Sequence, residues 1–73
     1  MTLYTRAGCH LCEHARREIE AAGVDYEAVD IDADPALRNL YNDEVPVVFI
    51  DGRKAFKYRL TARELARKLE ARR

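Results

Sequence analysis

What the chain has little of narrows it first. Among its 73 residues there are two cysteines, two prolines and three glycines. Two cysteines make at most one disulfide, which excludes a small scaffold held together by several bridges. So few glycines and prolines leave no flexible linker, and no repeat or low-complexity segment divides the sequence. No stretch approaches the ~20 apolar residues of a membrane span, and Met1 leads directly into polar-interrupted sequence without a signal peptide. A cytoplasmic, reducing setting is therefore expected, in which a cysteine pair serves chemistry rather than structure. The length leaves nothing for a second core, so residues 1–73 read as one domain. A domain of this size buries only about 60% of the surface its unfolded chain exposes, so the core is thin.

Net charge is absent as well, but the balance of 13 basic and 13 acidic residues conceals a segregation. Residues 1–24 are neutral. Residues 25–51 carry eight acids against Arg38, a net of −7, and residues 52–73 carry nine bases against Glu64 and Glu70, a net of +7. A basic end can serve nucleic acid or membrane. Here the bases are interspersed with a regular apolar pattern, so the reading is that the acidic and basic thirds fold beside one another and partly compensate. Neither a nucleic acid nor a membrane is expected as a partner. A basic surface patch that influences partner choice is.

Strands and helices alternate along the chain. Thr2–Thr5 is a short β-prone run ended by Arg6-Ala7-Gly8. From Cys9 to Ala22 the period becomes helical, with Leu11, Ala15, Ile19 and Ala22 on one side, and Gly23 suits the left-handed residue that ends such a helix. Val24–Ile31 alternates apolar and charged residues and reads as a second strand. Asp34-Pro35 starts a short helix to about Tyr41. Val47-Val48-Phe49-Ile50 suits a strand covered on both faces. Asp51-Gly52 marks a tight turn into a hairpin strand through Phe56 and Tyr58. Thr61-Ala62-Arg63-Glu64 is a capping box, with Leu60 and Leu65 placed as a hydrophobic staple. In the helix that follows, Leu65 and Leu69, flanked by Ala62 and Ala66, form the buried stripe, while Arg67, Lys68, Arg72 and Arg73 lie near the negative end of its dipole. The order β-α-β-α-β-β-α predicts a right-handed βαβ unit joined to an antiparallel hairpin in one small mixed sheet with helices on its faces.

Cys9-His10-Leu11-Cys12 carries the chemistry. One helical turn separates the cysteines, placing their α-carbons roughly 5 Å apart, within the range a disulfide accepts. Cys9 falls at the helix start, where free N–H groups and the dipole favour a thiolate, and Arg6 adds positive potential from the preceding loop. Cys12, one turn in and less exposed, is placed to resolve a mixed disulfide formed on Cys9. Two other readings stand beside this one. Zinc needs four ligands, and no Cys or His follows His14, so a site within one chain is strained; a metal or iron–sulfur cluster shared by two chains would use the same thiolates. A non-catalytic adaptor with a vestigial pair is the other. His10 is equally a helper of the thiolate and a solvated side chain, and His14 reads as an exposed helical residue. Tyr26, Tyr41 and Tyr58 read as packing. Tyr4, at the end of the first strand, is a candidate to line the site.

Tyr4-Thr5-Arg6-Ala7-Gly8-Cys9-His10-Leu11-Cys12, Val29-Asp30-Ile31-Asp32 and Val45-Pro46-Val47-Val48-Phe49-Ile50-Asp51-Gly52 together resemble a glutaredoxin-like protein of the thioredoxin superfamily, over nearly the whole chain. The Cys-His-Leu-Cys form is most similar to a small bacterial subgroup, distinct from the Cys-Pro-Tyr-Cys enzymes. The resemblance implies the thioredoxin fold in its minimal form: an α/β domain with a four-stranded mixed sheet and helices on both faces. It implies a thiol-disulfide oxidoreductase in which Cys9 and Cys12 are catalytic, with Arg6, His10, Val45 and Pro46 on the substrate side. It further implies that Pro46 is cis and lies opposite the cysteines. The Val45 N–H and C=O would then be free to pair with a substrate strand, and Arg6 would stand where a basic residue contacts the carboxylate of glutathione.

One stretch departs from the family. Where glutaredoxins carry a Gly-Gly pair and acidic residues for glutathione, this chain has Phe56-Lys57-Tyr58-Arg59-Leu60-Thr61. Glutathione is therefore expected to be a poor partner, although N–H groups at the helix start near Thr61 suit a carboxylate. A thioredoxin reductase is the alternative electron donor. No bound cofactor and no metal is expected. The substrates are disulfides of proteins or small molecules, and the chain is expected to act as a monomer.

Overall fold

The computed structural model describes residues 1–71, so the expectation for Arg72 and Arg73 lies outside the described residues. Four strands, β1 (Thr2–Thr5), β2 (Glu27–Asp30), β3 (Val47–Ile50) and β4 (Arg53–Lys57), form one sheet in the order β2-β1-β3-β4. Three helices, α1 (His10–Ala21), α2 (Pro35–Tyr41) and α3 (Ala62–Glu70), complete the expected β-α-β-α-β-β-α order. β1 runs parallel to β2 and antiparallel to β3, and β3 runs antiparallel to β4. This is the mixed sheet of the thioredoxin fold.

Strand alternation divides the apolar residues between two faces. Leu3, Val48 and Ile50 face α1 and α3 and are buried with Ala15, Ile19, Leu60 and Leu65. Burying a side chain such as Leu65 stabilises the fold by about 1.5–3 kcal/mol, and Leu65 is fully buried. On the opposite face Tyr4 stacks on Tyr41 of α2 with ring centroids 4.9 Å apart, and Phe49 meets Tyr4 edge-on at 5.5 Å. Tyr4 thus turns away from the face that carries α1 and does not line the cysteine site. Tyr26 and Tyr41 pack as expected, and the Tyr26 hydroxyl also donates to Glu20 at 2.7 Å.

The caps follow the sequence closely. Asp34 accepts from the Ala36 N–H, with Pro35 in the first turn of α2. At α3 both halves of the capping box form: the Glu64 N–H donates to Thr61 Oγ1 and the Thr61 N–H to Glu64 Oε1, each at 3.1 Å. Asp51 and Gly52 take φ of 52° and 79° in the two-residue hairpin turn, the pair of left-handed residues that matches the twist of the flanking strands.

Three further expectations are corrected. The second strand is not Val24–Ile31 but only Glu27–Asp30. Its partner β1 offers four residues, and the Asp30 carboxylate accepts from the Asp32 N–H at 2.9 Å, starting a 3-10 turn over Ile31–Ala33. β4 ends at Lys57, so Tyr58 lies outside the strand, is 42% exposed and is not a packing residue. Ala66 is exposed, because the stripe on α3 is narrow enough to be filled by Leu65, with Leu69 and Ala62 half-buried. The acidic and basic thirds fold beside one another as expected, since β3 pairs with β4, while acidic β2 and basic β4 themselves stand at opposite edges of the sheet. Compensation between the two regions comes through Glu44, which meets Lys54 at 3.2 Å and Lys57 at 3.6 Å.

Candidate functional site

The site is built where β1 hands the chain to α1. Gly8, at φ 75°, turns the chain so that Cys9 can stand as the residue capping α1. The Cys9 sulfur then takes the role an oxygen usually has at a helix start, accepting the Cys12 N–H at 3.2 Å. Cys9 is half-buried. Cys12, one turn in, is 2% exposed, and both are free thiols. Burial pushes the Cys12 thiol up, and the neighbouring Cys9 sulfur adds to this, while the Thr5 hydroxyl and the Arg6 backbone N–H pull the other way. The pair is therefore unequal: one sulfur is reachable and faced by an amide donor, the other is sheltered and held as a thiol. His10 stands exposed between them, and His14 is half-buried.

Strand register brings the remaining residues to the same end of the sheet. Tyr4 pairs with Val47, and Val47 with Lys57. One step beyond that row lie Thr5, Pro46 and Tyr58, and the Tyr58 N–H donates to the Pro46 C=O at 2.9 Å. The Val45–Pro46 peptide is cis and Pro46 is buried. No hydrogen bond among the described residues reaches the backbone N–H or C=O of Val45. Tyr58 has φ 69°, a left-handed conformation that a bulky residue rarely adopts. Nothing in its local sequence signals this conformation, and it is the residue of this end that reading the sequence missed.

Arg6 is engaged within the protein. Its Nε and Nη2 donate to the two Asp32 carboxylate oxygens at 2.9 Å each, Nη2 also to Asn42 Oδ1 at 2.8 Å, and Nη1 to the Asn42 carbonyl at 3.2 Å. This fork raises the affinity of Arg6 for its proton and holds the Asp32 carboxyl below its usual range. It ties the cysteine loop to the segment after β2 and to the end of α2. Among the described residues, no group of three or more His, Cys, Asp or Glu side chains converges as a metal site. A surface hollow of about 510 Å³, bordered by Arg53, Lys54 and Lys68, lies at the hairpin-turn end of β3, the opposite end from Pro46. No helix among the described residues is long and apolar enough to cross a membrane.

The structure superimposes closely on solved structures. A protein of X. campestris, XcR50, is 36% identical with a TM-score of 0.86, covering 96% of this chain and 95% of that one. Protein Ne2328 of Nitrosomonas europaea is 32% identical with a TM-score of 0.67, covering 92% and 86%. A variant of the thioredoxin-like protein BC3987 is 27% identical with a TM-score of 0.67, covering 96% and 93%. In sequence, the Gene 56 protein of Mycobacterium phage L5 is 41% identical over 59 residues, 74% of this chain and 57% of that protein. The Mycobacterium tuberculosis protein Rv0508 is 34% identical over 61 residues, 71% of this chain and 63% of that one. The chain thus spans about three-fifths of the length of these curated relatives. Residues 1–70 match the glutaredoxin-like domain (DUF836), and the chain belongs to that family.

Proposed function

We propose that the chain is a thiol-disulfide oxidoreductase of the Cys-His-Leu-Cys subgroup of glutaredoxin-like proteins. The observation that carries this is the inequality of the pair: Cys9 half-buried with its sulfur facing the Cys12 N–H, Cys12 buried and held as a thiol. The Cys9 thiolate attacks one sulfur of a substrate disulfide, forming a mixed disulfide and releasing the first substrate thiolate, which takes a proton. Cys12 then gives up its proton and attacks the Cys9 sulfur, and the second substrate thiol leaves. Two electrons have passed to the substrate, and the Cys9–Cys12 disulfide remains to be reduced by a thiol donor, either the dithiol of a reductase or two molecules of glutathione, which leave as their disulfide.

The substrate side is assigned to His10 beside the thiolate and to Val45, whose unbonded N–H and C=O can pair with an extended segment of a substrate disulfide. Arg6 anchors the loop through Asp32, and a substrate carboxylate would have to displace that partner to use it. With dithiothreitol as electron source and a polypeptide disulfide as substrate, Cys9→Ser reduces turnover to background. Cys12→Ser accumulates a mixed disulfide on Cys9, visible as an added mass that a reductant removes. Retained turnover in Cys9→Ser refutes the assignment.

A further inference from the structure

The fork that engages Arg6 joins the two loops from which the site is assembled. We propose that Arg6 is a positioning residue, whose bonds to Asp32 and Asn42 set the spacing between the cysteine loop and the Val45 edge on which a substrate segment pairs; this rests on the redox reading above. Arg6 stands three positions before Cys9, and Asn42 three positions before Val45. The guanidinium grips Asn42 through its side-chain oxygen at 2.8 Å and its carbonyl at 3.2 Å, which fixes the origins of both loops against one another. Asp32 takes the other half of the fork at 2.9 Å on each oxygen, so the guanidinium cannot turn away without losing two charge-assisted bonds.

The surroundings make this link consequential. Tyr4 stacks on Tyr41 at 4.9 Å, which sets how near α2 lies to the sheet. The fork adds direction, because each of its hydrogen bonds has a preferred line. Beyond Asn42, Glu44 meets Lys54 at 3.2 Å and Lys57 at 3.6 Å. The segment leading to Val45 is thus held from the cysteine loop on one side and from β4 on the other. Among the described residues, no other side-chain hydrogen bond joins residues 6–9 to residues 42–46. Register sets Pro46 beside Thr5, since Tyr4 pairs with Val47, and the Thr5 hydroxyl meets the Cys12 sulfur. Any shift of the Val45 segment is therefore a shift of the substrate strand relative to the thiols. A planar, forked cation can bridge two acceptors on different elements, whereas lysine carries the charge without that geometry.

The test is single-turnover reduction, by the reduced protein, of two substrates: two copies of an extended neutral peptide joined by one disulfide, and hydroxyethyl disulfide, which is too small to pair along Val45. In each case the two protein thiols become one disulfide and the substrate gains two thiols. Asn42→Ala is expected to lower the peptide rate at sub-saturating substrate about fivefold, a part of the ~100-fold that a 1 Å misplacement can cost. The loss should enter as a higher half-saturation concentration, with the hydroxyethyl disulfide rate within about twofold of the unmodified chain. Asn42→Asp, which keeps the acceptor, retains the unmodified behaviour. Arg6→Lys keeps the positive charge and loses the fork, and should lower the ratio of peptide to hydroxyethyl disulfide rates about tenfold. An unchanged ratio in Arg6→Lys shows that Arg6 acts by its charge alone and overturns the proposal. A merely structural role predicts a lower melting temperature with equal losses on both substrates in Asn42→Ala and Arg6→Lys; that result overturns the proposal and leaves the redox reading intact. Failure of the unmodified chain to reduce either substrate overturns both.

Discussion

Glu18 offers the sharpest test of how the cysteine helix is tied to the rest of the molecule. The first backbone N–H of α3, on Ala62, has no partner within its own helix, and it donates instead to Glu18 Oε1 of α1 at 3.0 Å. The carboxylate therefore satisfies an orphan donor and places a negative charge at the positive end of α3. A hydrogen bond to a charged group contributes about 1.5–3 kcal/mol, and a half-buried pair belongs at the lower end. Alanine returns a few tenths of a kcal/mol through its higher helix propensity. Glu18→Ala should thus cost about 1–1.5 kcal/mol, or roughly 4–12 °C in melting temperature for a domain of this size. Glu18→Gln keeps an acceptor without the charge and should lose about half as much. Thermal and urea melts followed by circular dichroism at neutral pH, with thiols kept reduced, measure both. Arg17→Ala, exposed on the same helix, is the control and should stay within about 0.5 kcal/mol. If Glu18→Ala lies within about 0.3 kcal/mol of the unmodified chain, the smallest difference such comparisons resolve, water replaces the carboxylate freely and the reasoning fails.

Two predictions concern pH. Because burial holds the Cys12 thiol above its ordinary range, its contribution to folding is complete below the unfolded thiol value of about 8.5 and fades as pH rises through the folded one. The urea midpoint of the reduced protein should therefore fall on the alkaline side, and Cys12→Ala should flatten that limb; an unchanged limb counts against a sheltered thiol. Asp32 works in the opposite sense. Arg6 holds its carboxyl low, so its contribution is present above the ordinary value of about 3.9 and is lost as pH falls through the lower folded one. Asp32→Asn should make the acid limb of a stability profile shallower, and an identical limb in the two proteins would show that the Arg6 fork has no consequence for folding.

What could be read from the residues was what local chemistry decides. Asp34-Pro35, Asp51-Gly52 and the Thr61–Glu64 box each carry their geometry within four residues, and all three form as expected. The cysteine pair was equally legible, because a three-residue spacing at a helix start fixes its separation. The misses all depend on partners distant in sequence. β2 stops at Asp30 because β1 has no further residue to offer, a limit invisible from the alternation of residues 24–31. Glu18 reads as one of several solvent-facing acids until α3 is laid beside α1. Tyr58 is held at positive φ by a bond to Pro46, 12 positions earlier, and no propensity of tyrosine points there.

The sheet order also changes what neutrality means for this chain. Glu27 and Asp30 are exposed on edge β2, and Arg53, Lys54 and Lys57 on edge β4. Three inter-strand steps separate the edges, roughly 14 Å at the usual strand spacing. That is nearly twice the screening length of about 8 Å at physiological salt. The two edges therefore act as separate charges toward anything that approaches, although they cancel in the total. Compensation happens instead at short range, at Asp32 by Arg6 and at Glu44 by Lys54 and Lys57. At the cysteine end Arg59 follows β4, while exposed Asp30 closes β2 opposite Thr5 and Asp32 is paired with Arg6. A partner arriving at that end thus meets basic residues on the β4 side and acidic ones on the β2 side. A chain with a formal charge of zero can in this way orient a charged partner, and the effect should weaken with salt as it would for a basic protein.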